Sequence, residues 1–324
     1  MRRPLLVMSA LIASGAWPRL AHATPLPMLP RVPTAPASAT GLPVHEVTIP
    51  GHGVELFVRT VGGRYAGPTL VVLHGGPGIS HEYLRPLEAL ATAEYRVAFY
   101  DQRGAGRSTG AADLTDNHLD HYDADLEAVR AALGTRRIDL AGHSWGGIVA
   151  MNYATQHPEH VRALLLLGSG PPTYNDMNAG KWYFAERQTH LQMTGLITDP
   201  LPPVEGDDCA KNLIAYLPAY YFDPRHPATR DLAGASCHEA VNKATWKANE
   251  WYDLKDGLAT FRAPTLILHG EADPFRQQMA NAIARAMPKA RPKKVILPRC
   301  GHLLWEECPE PFFELVRAFL SARP

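Results

Sequence analysis

The sequence lacks the features that mark several large classes of protein. Its 32 Lys and Arg are balanced by 32 Asp and Glu, which argues against a broad basic surface, so we predict no nucleic-acid partner. Its four cysteines form no Cys-x-x-Cys pair and no His/Cys cluster, so we predict neither a metal nor a cofactor. No internal repeat is visible. The chain has 324 residues, of which 46% are hydrophobic. This length and composition suit one large α/β domain.

The N-terminal segment has the pattern of a signal peptide. Two arginines precede an apolar run over residues 5–17, which is too short to span a bilayer comfortably. A small-x-small cleavage site follows at residues 21–23 and predicts a signal peptide over residues 1–23, with a retained membrane anchor as the alternative. We expect a periplasmic or secreted protein that does not contact the membrane after cleavage. The Pro-rich residues 24–43 predict an extended lead-in.

The four cysteines are Cys209, Cys237, Cys300 and Cys308. An even count in an exported chain permits two disulfides with three possible pairings. Proximity along the chain favours Cys209–Cys237 and Cys300–Cys308, and free buried thiols are the alternative.

Strand and helix patterns alternate along most of the chain. The first two strands form a hairpin, and the later apolar runs are typical of strands buried on both faces, so we predict a mostly parallel α/β sheet with helices on both faces. The predicted strands span residues 44–49, 54–61, 69–73, 95–100, 138–141, 163–167, 265–268 and 294–297. The clearest helices span residues 119–133, 145–156 and 309–320.

The alternation fails over residues 171–263, where helical patterns and aromatic side chains prevail. Structureless loops of this length are uncommon in compact domains. We therefore predict a mainly helical cap over residues 171–263, inserted above the C-terminal ends of the strands. Residues 44–170 and 264–324 then form the core. An irregular edge of the main domain is the alternative.

The most informative segment is Gly142-His143-Ser144-Trp145-Gly146, which lies between a predicted strand and a predicted helix. A Gly-x-Ser-x-Gly sequence in this context is typical of a sharp turn that exposes a nucleophilic serine at a helix N-terminus. The two glycines leave room for the turn. We predict that Ser144 is the nucleophile. The alternative is a turn serine that caps a helix.

A serine hydroxyl needs a base, and the base needs an orienting acid. Where the serine occupies such a turn, the acid and then the histidine follow it along the chain. Asp273 lies after the strand at 265–268, and His302 lies after the last strand. We predict Asp273 as the acid and His302 as the base. Glu271 is a rival acid closer to its strand, and we expect His143 to pack rather than act as a base.

Acyl transfer also needs hydrogen-bond donors for the oxyanion. The backbone N–H of Trp145, directly after the nucleophile, is one expected donor. The other is expected in the Gly-rich loop after the strand at 69–73, where we assign the N–H of Gly76. A simple tight turn is the alternative reading of this loop.

Three motifs together resemble one family. Residues 74–78 read HGGPG, residues 101–108 read DQRGAGRS, and residues 142–147 read GHSWGG. This combination resembles the proline iminopeptidase group of α/β-hydrolases, a family of serine peptidases. The resemblance implies the α/β-hydrolase fold, the triad Ser144, Asp273 and His302, and the oxyanion donors Gly76 and Trp145. We expect Asp101 and Arg103 to brace the active-site loops.

The resemblance is weakest in the cap, where the family holds the substrate amine with carboxylates. Two hypotheses about the substrate therefore stay open: an aminopeptidase that releases N-terminal proline or another small residue from short peptides, and an esterase, lactonase or amidase acting on a small substrate without a free amine. A non-catalytic binding protein is a third hypothesis, which the complete triad disfavours. The cap carboxylates that do not align with the family are Glu186, Glu205, Asp207, Asp208, Glu239, Glu250 and Asp253.

Overall fold

The structure is a computed structural model. It describes residues 38, 40–111, 113–196, 209–227 and 234–322. The predicted signal peptide and most of the Pro-rich lead-in lie outside the described residues. None of the helices in these ranges is both long and apolar enough to cross a lipid bilayer.

A single eight-stranded sheet organises the described chain, with strand order β1-β2-β4-β3-β5-β6-β7-β8. Strand β2 is antiparallel to both of its neighbours, and all other neighbouring strands are parallel. All eight predicted strands are present, and the predicted mostly parallel sheet is confirmed. The strands are β1 Val44–Pro50, β2 Glu55–Val61, β3 Thr69–Leu73, β4 Arg96–Tyr100, β5 Ile138–His143, β6 Val161–Leu167, β7 Thr265–Gly270 and β8 Lys293–Leu297.

The central strands are continuous apolar runs because both faces of the sheet are covered. Every residue of β3, β4, β5 and β7 is buried. Helices α1, α2, α6 and α7 pack on one face, and α9 packs on the other beside a 3-10 helix, His81–Leu90. The helices are α1 Leu119–Ala132, α2 Trp145–Gln156, α3 Tyr174–Met193, α4 Cys209–Tyr220, α5 Glu239–Ala248, α6 Lys255–Thr260, α7 Gln278–Ala286, α8 Leu304–Glu307 and α9 Pro309–Ser321.

The described parts of the long segment between β6 and β7 contain four helices, α3 to α6. Its last helix packs against the main domain. Leu254, Leu258 and Phe261, in and beside α6, are buried in the same apolar cluster as the sheet residues Leu164 and Ile267. The end of the insertion therefore packs with the main domain, and α4 and α5 also contribute to its apolar clusters through Leu217 and Trp246.

Both cysteine pairs favoured by proximity lie at disulfide distance. The Cα atoms of Cys209 and Cys237 are 5.5 Å apart, and those of Cys300 and Cys308 are 6.0 Å apart. The first pair joins the start of α4 to the segment before α5. The second closes the short loop that carries His302.

A buried ion pair connects the loop after β4 to helix α1. The Arg103 Nε atom donates to Asp125 Oδ2 at 2.8 Å, and both side chains are almost completely buried. Arg103 also donates to the carbonyl oxygens of His52 and His121. This guanidinium therefore holds three separate segments together, as expected for a bracing role.

Removing one member of this pair leaves the other charge buried without its partner. We expect Asp125→Ala to lower the free energy of unfolding by about 3–5 kcal/mol, measured by urea denaturation. The matched control is Glu94→Ala, because Glu94 forms an ion pair with Arg64 whose side chains are 72% and 77% exposed. That change is expected to cost less than about 1 kcal/mol. Equal losses in the two variants would contradict the bracing role of Arg103.

Candidate active site

Ser144 occupies a strained turn between β5 and α2. Its backbone angles are φ 54° and ψ −120°, in a region that non-glycine residues rarely adopt. Strand β5 ends at His143 and helix α2 begins at Trp145, so Ser144 is the single residue between the two elements. The serine is partly exposed, while both of its neighbours are buried.

The two glycines of the motif are required by close packing around this turn. A Cβ atom at Gly142 would collide with the carbonyl of Gly146, and one at Gly146 would collide with the carbonyl of Leu73. The start of α2 therefore lies directly against the end of β5 and against the neighbouring strand β3. Any larger side chain at either position would displace the backbone that carries Ser144.

Asp273 and His302 are brought together by the adjacent strands β7 and β8. Asp273 Oδ2 lies 2.7 Å from His302 Nδ1, and both side chains are buried. Burial by itself would raise the pKa of Asp273. The charges of His302 and then of His269, together with hydrogen bonds from His302 and from the backbone N–H of Phe275, outweigh burial and lower the pKa to about 2. Asp273 therefore stays ionised beside Nδ1 at neutral pH, which leaves Nε2 as the His302 ring nitrogen that is not bonded to this carboxylate.

Backbone contacts also position His302. Its N–H donates to the carbonyl oxygen of Tyr220, at the end of α4, at 2.6 Å. Glu307 accepts hydrogen bonds from the backbone N–H groups of Gly301, Phe222 and Asp223. The loop that carries His302 is thus tied to the end of a helix in the insertion.

The two rival residues are engaged elsewhere. Both ring nitrogens of His143 lie near protein partners, Tyr83 Oη at 2.8 Å and the His302 carbonyl oxygen at 3.2 Å. Burial, reinforced by the charge of His302, holds the pKa of His143 well below its ordinary value. Glu271 is exposed and accepts from the backbone N–H of Arg299 at 2.9 Å.

The expected oxyanion donors lie next to a hydrogen-bond network centred on Gln102. The Gln102 amide donates to the carbonyl oxygen of His74 at 2.7 Å and accepts from Trp145 Nε1 at 3.1 Å. The neighbouring N–H of Gly75 donates to Tyr83 Oη at 2.6 Å. Gly76 and Trp145 both line the cavity that contains Ser144 and His302.

Sequence reasoning missed three residues that organise this site: Gln102, Tyr83 and Glu307. Gln102 lies inside the DQRG motif, of which only the charged residues were predicted to brace the loops. The motif itself could therefore have pointed to Gln102. Tyr83 and Glu307 carry no local pattern that distinguishes them from ordinary side chains. Asp101, as expected, braces loops by accepting from His81 and from the backbone N–H of Arg107.

The cavity above Ser144 has a volume of about 680 Å³ and is mainly apolar. Two carboxylates line it among the described residues, Glu239 on α5 and Glu306 on α8. Burial raises the pKa of Glu306. Glu239 also contacts Lys243 Nζ at 2.5 Å. The apolar lining includes Ile148, Met177, Leu217, Tyr220, Trp246 and Phe275.

Apart from Glu239, the cap carboxylates are placed differently. Glu186 pairs with Arg276 at 2.6 Å, and Asp253 pairs with Lys255 at 3.1 Å. Glu250 is exposed and does not line the cavity. Residues 205, 207 and 208 lie outside the described residues.

Two groups of side chains in the described part of the chain have the composition of metal ligands. One is Glu127, His157 and His160, and the other is His81, Glu82 and Asp101. Glu127 is already bonded to Arg130 and Tyr153, and Asp101 is bonded to His81. Neither group lines the cavity that contains Ser144.

The sheet order, the strained serine turn and the buried Asp–His pair define a hydrolase of the α/β-hydrolase class. A family model described as alpha/beta hydrolase fold matches residues 68–309. The proline iminopeptidase of Saccharolobus solfataricus is 39% identical over 292 residues, covering 83% of this chain and 90% of that protein. The chain therefore belongs to the proline iminopeptidase family of α/β-hydrolases, and it is an enzyme, serine-type by its family.

Solved structures share the fold across the family and beyond it. The crystal structure of a proline iminopeptidase from Mycobacterium smegmatis has a TM-score of 0.66 at 23% identity, covering 85% of this chain and 97% of that one. An esterase from Rhodococcus has the same TM-score, 0.66, at 25% identity, covering 86% and 98% of the two chains. The fold alone thus does not select between peptide and ester substrates.

The depressed pKa of Asp273 makes a pH-dependent contribution to stability. Because its folded pKa of about 2 lies below the ordinary value of 3.8, this stabilisation is complete above the ordinary value and is lost as the pH falls through 2. We expect the difference in unfolding free energy between wild type and Asp273→Asn to shrink by about 2 kcal/mol from pH 6 to pH 2. Urea titrations at several pH values measure it, and a difference that stays constant would contradict the assignment.

Proposed function

We propose that the protein is a serine hydrolase in which Ser144 is the nucleophile, His302 the base and Asp273 the orienting acid. The observation that carries this proposal is the buried 2.7 Å contact between Asp273 and His302, whose histidine lines the same cavity as the strained Ser144 turn. The backbone N–H groups of Gly76 and Trp145 serve as the oxyanion donors.

The proposed reaction uses these groups in two steps. His302 Nε2 removes the proton of Ser144 as its oxygen attacks the substrate carbonyl carbon. The developing oxyanion is stabilised by the N–H groups of Gly76 and Trp145 and by the N-terminal end of α2. His302 then protonates the leaving amine, and water hydrolyses the acyl-enzyme in a second round of the same steps.

The substrate we propose is a short peptide from which N-terminal proline or another small residue is released. The relatives that carry the name proline iminopeptidase support this class. So does the lining of the cavity, because a substrate ammonium in apolar surroundings needs a partner charge. Glu239 and Glu306 are the carboxylates placed to provide it.

The second candidate is hydrolysis of an ester, lactone or amide without a free amine. The observation that favours it is the apolar lining of the 680 Å³ cavity, which suits a neutral substrate as well as a peptide terminus. The catalytic steps would be the same, and only the role of the two carboxylates would change.

We further propose a division of the chain into a core, residues 44–170 and 264–324, and a cap, residues 171–263, whose last helix packs with the core. The cap supplies Met177, Leu217 and Trp246 to the cavity wall, which supports a role in substrate selection.

We also propose export to the periplasm or the medium. The two cysteine pairs support this location, because disulfides persist in oxidising compartments.

The role of Ser144 is tested by substitution and by covalent labelling. A fluorophosphonate probe is expected to label the wild type and not Ser144→Ala, since the probe reacts with an activated serine. Activity is expected to fall by roughly 10⁴- to 10⁶-fold. An unchanged circular dichroism spectrum would show that the variant is folded. Labelling of the variant at wild-type level would refute the assignment.

The substrate class is tested with a prolyl anilide and its N-acetyl form. If a carboxylate binds the substrate amine, acetylation of that amine is expected to lower kcat/KM by about 100-fold. For the substrate with a free amine, Glu239→Gln or Glu306→Gln is expected to lower kcat/KM by about 10-fold or more. The matched control is Glu250→Gln, an exposed cap carboxylate outside the cavity, which is expected to have no effect. Equal cleavage of the two anilides would instead favour the second candidate.

A further inference from the structure

A short segment of the insertion holds the loop that carries the Gly76 oxyanion donor. We define the oxyanion loop as residues 76–80 and the clasp as residues 236–242. Ile79 and Cys237 form an antiparallel β-bridge at the centre of the contact. The N–H of Ser80 donates to the carbonyl oxygen of Ser236 at 3.0 Å, and the N–H of Ser236 donates to Ser80 Oγ at 2.8 Å. The clasp therefore pairs with the oxyanion loop as a short strand would.

The two backbones approach each other most closely at Gly78. The N–H of His238 donates to the carbonyl oxygen of Gly78 at 2.9 Å. Gly78 has φ +83°, and a Cβ atom there would lie 2.7 Å from the His238 carbonyl oxygen. The glycine at this position thus permits the contact as well as the turn.

One side chain of the clasp reaches the residue next to the expected donor. Asn242 Nδ2 donates to the carbonyl oxygen of Pro77 at 2.8 Å. The Pro77 carbonyl lies only two residues along the backbone from the Gly76 N–H, so a hydrogen bond that holds this oxygen restrains the backbone beside the expected donor. Asn242 lines the same cavity as Gly76 and Ser144.

The clasp is itself anchored to the other half of the catalytic machinery. Cys237 is joined to Cys209 at the start of α4, and the last residue of α4, Tyr220, accepts the backbone N–H of His302. One covalently linked part of the insertion therefore contacts both the oxyanion loop and the loop of the proposed base.

We propose that Asn242 is a positioning residue, which holds the oxyanion loop so that the Gly76 N–H faces the reacting carbonyl. The inference rests on the proposed serine-hydrolase function, but it holds for a peptide and for an ester substrate alike. An oxyanion forms in both reactions, so the contribution of Asn242 belongs to the transition state and not to recognition of the amine.

The test compares two asparagines at opposite ends of α5. Asn242→Ala and the isosteric Asn242→Asp both remove the donor to Pro77. The control is Asn249→Ala: Asn249 donates to the carbonyl oxygen of Asn117 at 2.7 Å and accepts from the N–H of Leu119 at 2.8 Å, away from the cavity. Each variant is assayed on a prolyl anilide and on a simple ester, and its melting temperature is measured.

We expect both Asn242 variants to lower kcat by about 10- to 100-fold and to change KM by less than about twofold. The reduction in kcat is expected to be the same for every substrate that the wild type cleaves. Asn249→Ala is expected to lower the melting temperature and to leave kcat within about twofold. Wild-type kcat in both Asn242 variants would overturn the inference, and so would a loss confined to KM, which would make Asn242 a substrate-binding residue. Failure of the proposed function is recognised separately, by full activity of Ser144→Ala.

Discussion

The backbone of Ser144 is the constraint on which the rest of the site depends. A positive φ at a non-glycine residue is unfavourable, and it persists only where the surroundings over-determine the conformation. Here β5 is held between β3 and β6, while α2 is buried along most of its length against the sheet. The hydrophobic burial of two regular elements thus stabilises one irregular residue between them. The same arrangement directs the N-terminal end of α2, with its partial positive charge, towards the position where negative charge would develop.

Around this turn, several buried polar groups hydrogen-bond to one another. Gln102 links His74 to the Trp145 ring, Tyr83 links Gly75 to His143, and Asp273 accepts from His302. Such a network is costly to leave incomplete, because each unpaired buried group loses its hydrogen bonds to water. It therefore specifies the positions of the catalytic groups more sharply than apolar packing alone would.

The insertion completes the site as well as covering it. Its clasp pairs with the oxyanion loop, and the end of α4 accepts a hydrogen bond from the His302 backbone. Glu307 reinforces the second contact by binding backbone N–H groups from both sides. The loops after β3 and β8 both contact this insertion, so the proposed substrate selection by the cap and the proposed positioning of the oxyanion loop involve the same segment.

The amino-acid sequence determined the features that depend on near neighbours. The hairpin pattern and the later apolar runs specified the eight strands. Gly142 and Gly146 around Ser144 specified the turn, because backbone sterics and burial periodicity act over a few residues. The order of acid and histidine after the serine was readable too, since each follows a strand of recognisable pattern. The tertiary structure decided which distant side chains meet. Asp273 contacts His302 because β7 lies beside β8, and Asn242 contacts Pro77 because the insertion folds back over β3. Glu239 and Glu306 face the cavity while Glu186 pairs with Arg276 on the surface, although all three look alike in the sequence. Burial and partner choice are properties of the packed chain, and no local pattern encodes them.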